Sequence, residues 1–203
     1  MTTESNDCEE KKWIAMTKAG NSAAFSKITE KYRQPIYNLC YRMLSDSMEA
    51  EDAAQEVFIR AYFKLNSYDD TRKFSSWLFS IASHYCIDKL RAQRLKLVSW
   101  DDVSAWHSFS ARDTSQPENV LLKTETNQEV YKLLKKLPPD YRAAIILKYW
   151  HDKSCKDIAQ VLDTTASAIK SKLFRARRMM AQVAVQQEEA TPIAPGLSLA
   201  ASY

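Results

Sequence analysis

Apolar residues in this chain recur at spacings of three and four, and no long stretch alternates at a period of two. The pattern predicts helices throughout. A short helix over 13–19 stops at Gly20-Asn21. A longer one covers 22–45, apolar at Phe25, Ile28, Tyr32, Ile36, Leu39, Tyr41, Met43 and Leu44, with Pro35 as a kink or restart. Asp46 opens the next helix, with Glu49 placed to complete a pair like a capping box. Ala50, Ala54, Val57, Phe58, Ala61 and Leu65 share its inward face; Glu49, Asp52, Glu56 and Arg60 fall on another. A polar loop, 66–72, precedes a helix over 74–94 whose buried side carries Phe74, Trp77, Leu78, Ile81, Ala82 and Tyr85.

The periodicity then fails over 97–117, where Ser and Asp mix with isolated aromatics. So long a gap is unusual within one compact domain, and it predicts a domain boundary. A second domain starts near Glu118. Val120, Leu121, Val130, Leu133, Leu134 and Leu137 mark its first helix, ended by Pro138-Pro139, and 140–150 forms another. The polar start, 1–10, is predicted to be disordered, and the Ala-, Gln- and Pro-containing tail after Val183 to be flexible.

The stretch 155–182 carries the most chemistry. Ile158, Ala159 and Leu162 form one apolar face, and Ile169, Leu173 and Met180 another. Between them, Asp163 tolerates the left-handed backbone of a tight turn, and Thr165 is placed to cap the next helix. That helix carries Lys170, Lys172, Arg175, Arg177 and Arg178 and no acid up to Gln182. This is the sequence form of a helix-turn-helix, whose second helix enters a DNA major groove.

Composition narrows the choice. With 203 residues, 45% of them hydrophobic, and only two glycines, the chain suits one or two all-α domains. The net charge is only +4, but it is unevenly spread. Positions 46–59 hold five acids and no base, whereas 72–96 hold six bases against Asp88. Separate acidic and basic surfaces imply separate partners. Cys8, Cys40, Cys86 and Cys155 are scattered, as suits a reducing cytosol, and His151 with Cys155 lacks a second ligand pair for a metal. No signal peptide or spanning segment is expected.

Five stretches, in order, resemble the extracytoplasmic-function (ECF) type of bacterial sigma factor. AGNSAAFSKITEKYRQPIYNLCYRML is similar to the opening helices of its region two. DAAQEVFIRAYFKL is similar to its polymerase-binding helix, and FSSWLFSIASHYCIDKLRAQR to its promoter-melting, minus-ten-reading helix. LKKLPPDYRAAIILKYW resembles the start of region four, and IAQVLDTTASAIKSKLFRARR its minus-thirty-five-reading helix-turn-helix. The chain differs in having Asp163 where the turn often has Gly, and in its tail.

The resemblance implies two small helical domains joined by a flexible linker: a flexible start (1–12), region two (13–96), linker (97–118), region four (119–182) and tail (183–203). It implies a cytoplasmic, non-enzymatic factor with no cofactor, no metal and no membrane insertion. It binds core RNA polymerase, at the clamp of the largest subunit and the flap of the second-largest, and promoter DNA, and an anti-sigma factor restrains it. Glu49, Asp52, Gln55 and Glu56 are the implied polymerase-binding residues. Asn66, Ser67, Tyr68 and Asp69 in the base-capturing loop, with Lys73, Trp77, His84, Asp88 and Arg91, are the implied minus-ten contacts. On periodicity, Trp77 fits the core better than a strand-separating wedge. Thr165, Ser167, Ala168, Lys170, Ser171, Phe174 and Arg175 are the implied minus-thirty-five contacts. Asp101, Asp102, Trp100, Trp106 and Phe109 would order on the enzyme. A dimeric operator-binding regulator is the competing reading, but it has no use for the acidic helix. An enzyme lacks any constellation to support it: no Gly-rich phosphate loop, catalytic triad or metal cluster stands out.

Overall fold

The computed structural model describes residues 3–98 and 125–189, and every regular element among them is helical. Helices α1 (Thr3–Lys18), α2 (Ser22–Leu44), α3 (Ser47–Lys64) and α4 (Phe74–Val98) build the first half. Helices α5 (Glu125–Lys136), α6 (Pro139–Tyr149), α7 (Cys155–Val161) and α8 (Ala166–Glu189) build the second. This is the all-α layout in two parts that the sequence predicts. No helix among the described residues is long and apolar enough to cross a membrane.

The breaks between helices follow local chemistry. Gly20 takes φ +95, which an L side chain rarely adopts, and Asn21 then caps α2 by accepting from the Ala24 amide. Ser45 closes α2 in the left-handed region, and Asp46 caps α3 by accepting from the Glu49 amide at 2.8 Å. The Glu49 carboxylate does not return to Asp46; it turns to α4, meeting Gln93 at 3.2 Å and Lys89 at 3.4 Å. Pro35 sits inside α2, which continues through it.

Two sequence expectations need correction. Helix α1 starts at Thr3, well before Trp13, so the helix takes in most of the polar start. Glu10 ties it to α2, accepting from Lys31 at 2.6 Å and from the Tyr32 hydroxyl at 2.7 Å. Helix α8 runs past Val183 to Glu189, because 183–189 contain only Val, Ala, Gln and Glu and no residue that stops a helix. The linker with its aromatics, Val120 and Leu121, and the tail from 190 lie outside the described residues.

The two parts share one core. Helix α2 touches α1, α3, α4, α5 and α6, and a continuous set of buried side chains runs from Ile14 to Ala176. Helix α6 explains the joining. Arg142, Ala143, Ala144, Ile145, Ile146 and Leu147 are all buried, so this helix is enclosed around its whole circumference along that stretch and needs cover on every side. Helices α7 and α8 cover part of it; α2 and α4 cover the rest. The two halves are therefore packed together rather than independent.

Candidate nucleic-acid interface

Helix α8 is built to present a basic face. Ile169, Leu173 and Ala176, spaced by four and three, are buried against the core. The opposite side is exposed and carries Ser167, Lys170, Ser171, Phe174, Arg175, Arg177 and Arg178. Phe174 is 62% exposed, an unusual place for a large apolar ring unless something covers it. Ala168 and Lys172 are half-buried at the edges of this face.

The turn before α8 is as the sequence predicts. Asp163 sits at φ 47, in the left-handed region, and Thr164 closes back to the Ala159 carbonyl at 2.9 Å. The Thr165 hydroxyl accepts from the Ala168 amide at 3.2 Å and caps the helix. A capping box at the start of α7 escaped the sequence reading. Ser154 accepts from the Asp157 amide, and the Asp157 carboxylate accepts from the Ser154 amide and hydroxyl. That hydroxyl bond is the main reason the Asp157 carboxyl lies below its ordinary range. The signal was present: Ser followed by Asp three residues later, before an apolar run.

In the first half, the acidic row on α3 divides. Asp52 and Gln55 are exposed, whereas Glu56 is half-buried and paired with Arg60 at 2.7 Å. Arg60 in turn lies over the Tyr85 ring of α4, 4.7 Å from its centre. Glu49 is engaged by Gln93 and Lys89, so part of its charge is spent within the fold. The same helix exposes Met48 (77%), Ile59 (52%) and Phe63 (78%). Sequence reading missed this apolar border to the acids. Its signal lay in apolar residues at positions left over once the inward face was assigned.

The 66–72 loop keeps Asn66, Ser67 and Asp69 exposed, but not Tyr68. Tyr68 is 7% exposed and packs on Phe74 and Trp77, with ring centres 5.2 Å away in each case. Its hydroxyl donates to the Arg72 carbonyl at 2.5 Å, and burial pushes its pKa up to about 12, so it stays protonated. Tyr68 thus fills the core beneath the loop instead of facing an incoming base. Lys18 of α1 pins the loop from below, donating to the Tyr68 carbonyl at 3.1 Å and pairing with Asp70 at 3.2 Å. Asp69 accepts from the amide and hydroxyl of Thr71, which lower its pKa.

Along α4, Trp77 is half-buried in the cluster with Tyr68 and Phe74, as its periodicity suggested. Lys73 and Asp88 are exposed. His84 and Arg91 face the second half. Nε2 of His84 is 3.7 Å from Asp163, in the turn before α8. Arg91 donates to both oxygens of Asp140, at 3.0 and 3.1 Å. The structure therefore brings His84 beside the helix-turn-helix turn and Arg91 beside the start of α6.

Arg142 lies where the two halves meet. It is 6% exposed and donates to the carbonyls of Met43, Lys135 and Leu137. Burial lowers its pKa to about 10, so it remains charged at neutral pH. Nearby, the Arg42 guanidinium lies 5.3 Å from the centre of the Trp150 ring, and His151 packs on Phe79 at 4.6 Å. Lys153 reaches Ser75 at 3.2 Å.

Comparison with known proteins agrees with this geometry. Residues 28–96 match the family model described as Sigma-70 region 2, and 127–180 match that described as Sigma-70, region 4. The chain is 36% identical over 175 residues to the ECF RNA polymerase sigma factor SigW of Bacillus subtilis, covering 84% of this chain and 94% of that protein. It is 31% identical over 169 residues to the ECF RNA polymerase sigma-E factor of Escherichia coli K12, covering 81% and 88%. Its fold resembles CnrH in complex with the cytosolic domain of CnrY, with a TM-score of 0.63, 21% identity, and coverage of 88% and 98%. It also resembles RpoE bound to the anti-sigma factor NepR from Bartonella quintana, with a TM-score of 0.64, 22% identity, and coverage of 79% and 96%.

Proposed function

The chain belongs to the ECF sigma factors of RNA polymerase, and from that membership we propose that it carries core polymerase to particular promoters and helps open their DNA. The observation that carries this is the exposed face of α8 from Ser167 to Arg178, basic and free of acid, set behind a capped turn. Lys170 and Arg175 read base edges or hold phosphates in the minus-thirty-five element. Ser171 donates to either, and Phe174 meets a thymine methyl. Arg177 and Arg178 add phosphate attraction, which orients without reading sequence.

On α3, exposed Asp52 and Gln55 with the neighbouring Glu56 meet the polymerase clamp, and Glu49 extends that row. Ile59 and Phe63, exposed beside them, add apolar area to the same contact. Asn66, Ser67 and Asp69 line the base-capturing loop, and Lys73, His84, Asp88 and Arg91 face the minus-ten strand. A separate anti-sigma protein restrains the factor by covering these faces, as the neighbour RpoE was captured with the anti-sigma factor NepR. Run-off transcription with core polymerase and sequenced transcript starts tests the reading. Promoter-specific starts that require this chain are expected; starts unchanged by adding it would refute the proposal.

A further inference from the structure

The end of α1 reaches the loop that the proposed function assigns to base capture. We propose that Lys18 of α1 is a positioning residue for that loop, holding it in the shape in which it meets an extruded base. The inference rests on the reading of 66–72 as the base-capturing loop. The Lys18 ammonium donates to the Tyr68 carbonyl at 3.1 Å and pairs with Asp70 at 3.2 Å. It also lies 5.3 Å from the centre of the Tyr68 ring. Tyr68 and Asp70 flank Asp69, so one ammonium holds the chain on both sides of an exposed carboxylate.

Lys18 acts as a fixed post because α1 is itself held. Ile14 and Thr17 are buried, and Glu10 is tied to Lys31 and Tyr32 of α2. Just past Lys18 the helix is closed off: the Gly20 and Asn21 amides donate to the Thr17 and Met16 carbonyls, at 2.9 and 3.0 Å. The cation stands in the last turn of α1, where the helix dipole favours it.

The loop gains from such a post. Its local hydrogen bonds shape single turns: Ser67 donates to the Lys64 carbonyl, Thr71 to Asp69, and the Tyr68 hydroxyl to the Arg72 carbonyl. The Lys18 bonds instead tie it to a residue about 50 positions earlier in the chain. The Asp70 side chain is 73% exposed, so this ion pair adds little to folding. Its consequence is the shape of the loop. Extruding a base forfeits stacking, and the loop must return that loss through contacts with the base. A loop already in its binding shape has no ordering cost to meet at that moment, which raises both affinity and discrimination.

The test uses the full-length chain assembled with core polymerase, and single-stranded minus-ten oligonucleotides varied one base at a time. Lys18→Met is expected to flatten base preference about fivefold at one position and to leave the others within about twofold. The salt dependence of binding is expected to stay as it is. Lys18→Arg, which keeps the charge and the donors, is expected to restore the preference. Asp70→Asn is expected to act at the same position, and it carries the test alone if Lys18→Met fails to assemble. Weakening at every position, with a salt slope smaller by about 0.7, would make Lys18 a phosphate contact and overturn the proposal. Unchanged preference, or effects of the two substitutions at different positions, would overturn it as well. If the unaltered holoenzyme prefers no base at any position, the base-capturing reading fails and takes this proposal with it.

Discussion

Lys170 and Arg175 sit on the same exposed side of α8, yet they need not do the same work. A side chain that reads a base edge in bidentate fashion contributes about 1–3 kcal/mol of discrimination at one position, whereas a phosphate contact weakens all sequences alike when removed. Replacing each with Ala and measuring binding to single-base variants of the upstream element separates the two. At least one variant is expected to change preference at a single position; uniform weakening by both would make them phosphate contacts. Arg142 offers a contrast in stability. Arg142→Met removes the donor to the Met43, Lys135 and Leu137 carbonyls while filling the volume. A buried acceptor left without a partner costs about 1–3 kcal/mol, so a loss of that order is expected in urea unfolding. Ordinary values there would mean that water replaces the guanidinium.

Within helix α3 the inward residues are close-packed and the outward ones are free to bind. Asp52→Lys with Glu56→Lys should abolish assembly with core polymerase while leaving the helical circular dichroism unchanged. The Glu56–Arg60 pair is exposed and spaced i,i+4, so losing it should cost only about 0.3–0.5 kcal/mol. Normal assembly by the folded variant would remove α3 from the clamp contact. For α8 the informative change is Thr165→Ala, which deletes the cap on the Ala168 amide. A loss of about 1 kcal/mol is expected in thermal unfolding. The inward face of α3, the capped turn and the buried row on α8 were all legible in the sequence, because period and capping are local properties. Tyr68 was not legible. Its place in a polar loop suggested exposure, and only Phe74 and Trp77, brought under it by the start of α4, make it a core residue.

For the molecule as a whole, the packing of the two halves is expected to depend on pH through His151. It packs on Phe79 of α4, with Arg42 of α2, and Lys153 and Asp152 of its own loop, as the charged groups around it. Burial, helped by Arg42 and Lys153, pushes its pKa down to about 4 from an ordinary 6.5. The packed state therefore favours the neutral ring. Its stability is fully present above about pH 6.5 and is lost progressively as pH falls from there toward 4. A fluorescence distance between donor and acceptor on α3 and α8 should lengthen between pH 7 and pH 5. His151→Leu should flatten that response while leaving His84 and Asp163 in place. An equal response in the variant would assign the titration elsewhere.

The sequence by itself determined most of the helices, the capped turn before α8, the basic exposed face of α8 and membership in the ECF sigma factors, because each depends on neighbours a few residues away. Tertiary structure decided which polar groups remain available and how the halves meet. Glu49 looks like a surface acid until Gln93 and Lys89 of α4 come beside it. Asp140 and Asp163 look like a helix-start acid and a turn residue until Arg91 and His84 face them. The periodicity predicted two modules joined only by a linker, but α6 is buried on every side over 142–147, and α2 and α4 cover it together with α7 and α8. Burying the remainder against α2 and α4 removes apolar surface from water, a long-range gain that no local pattern records.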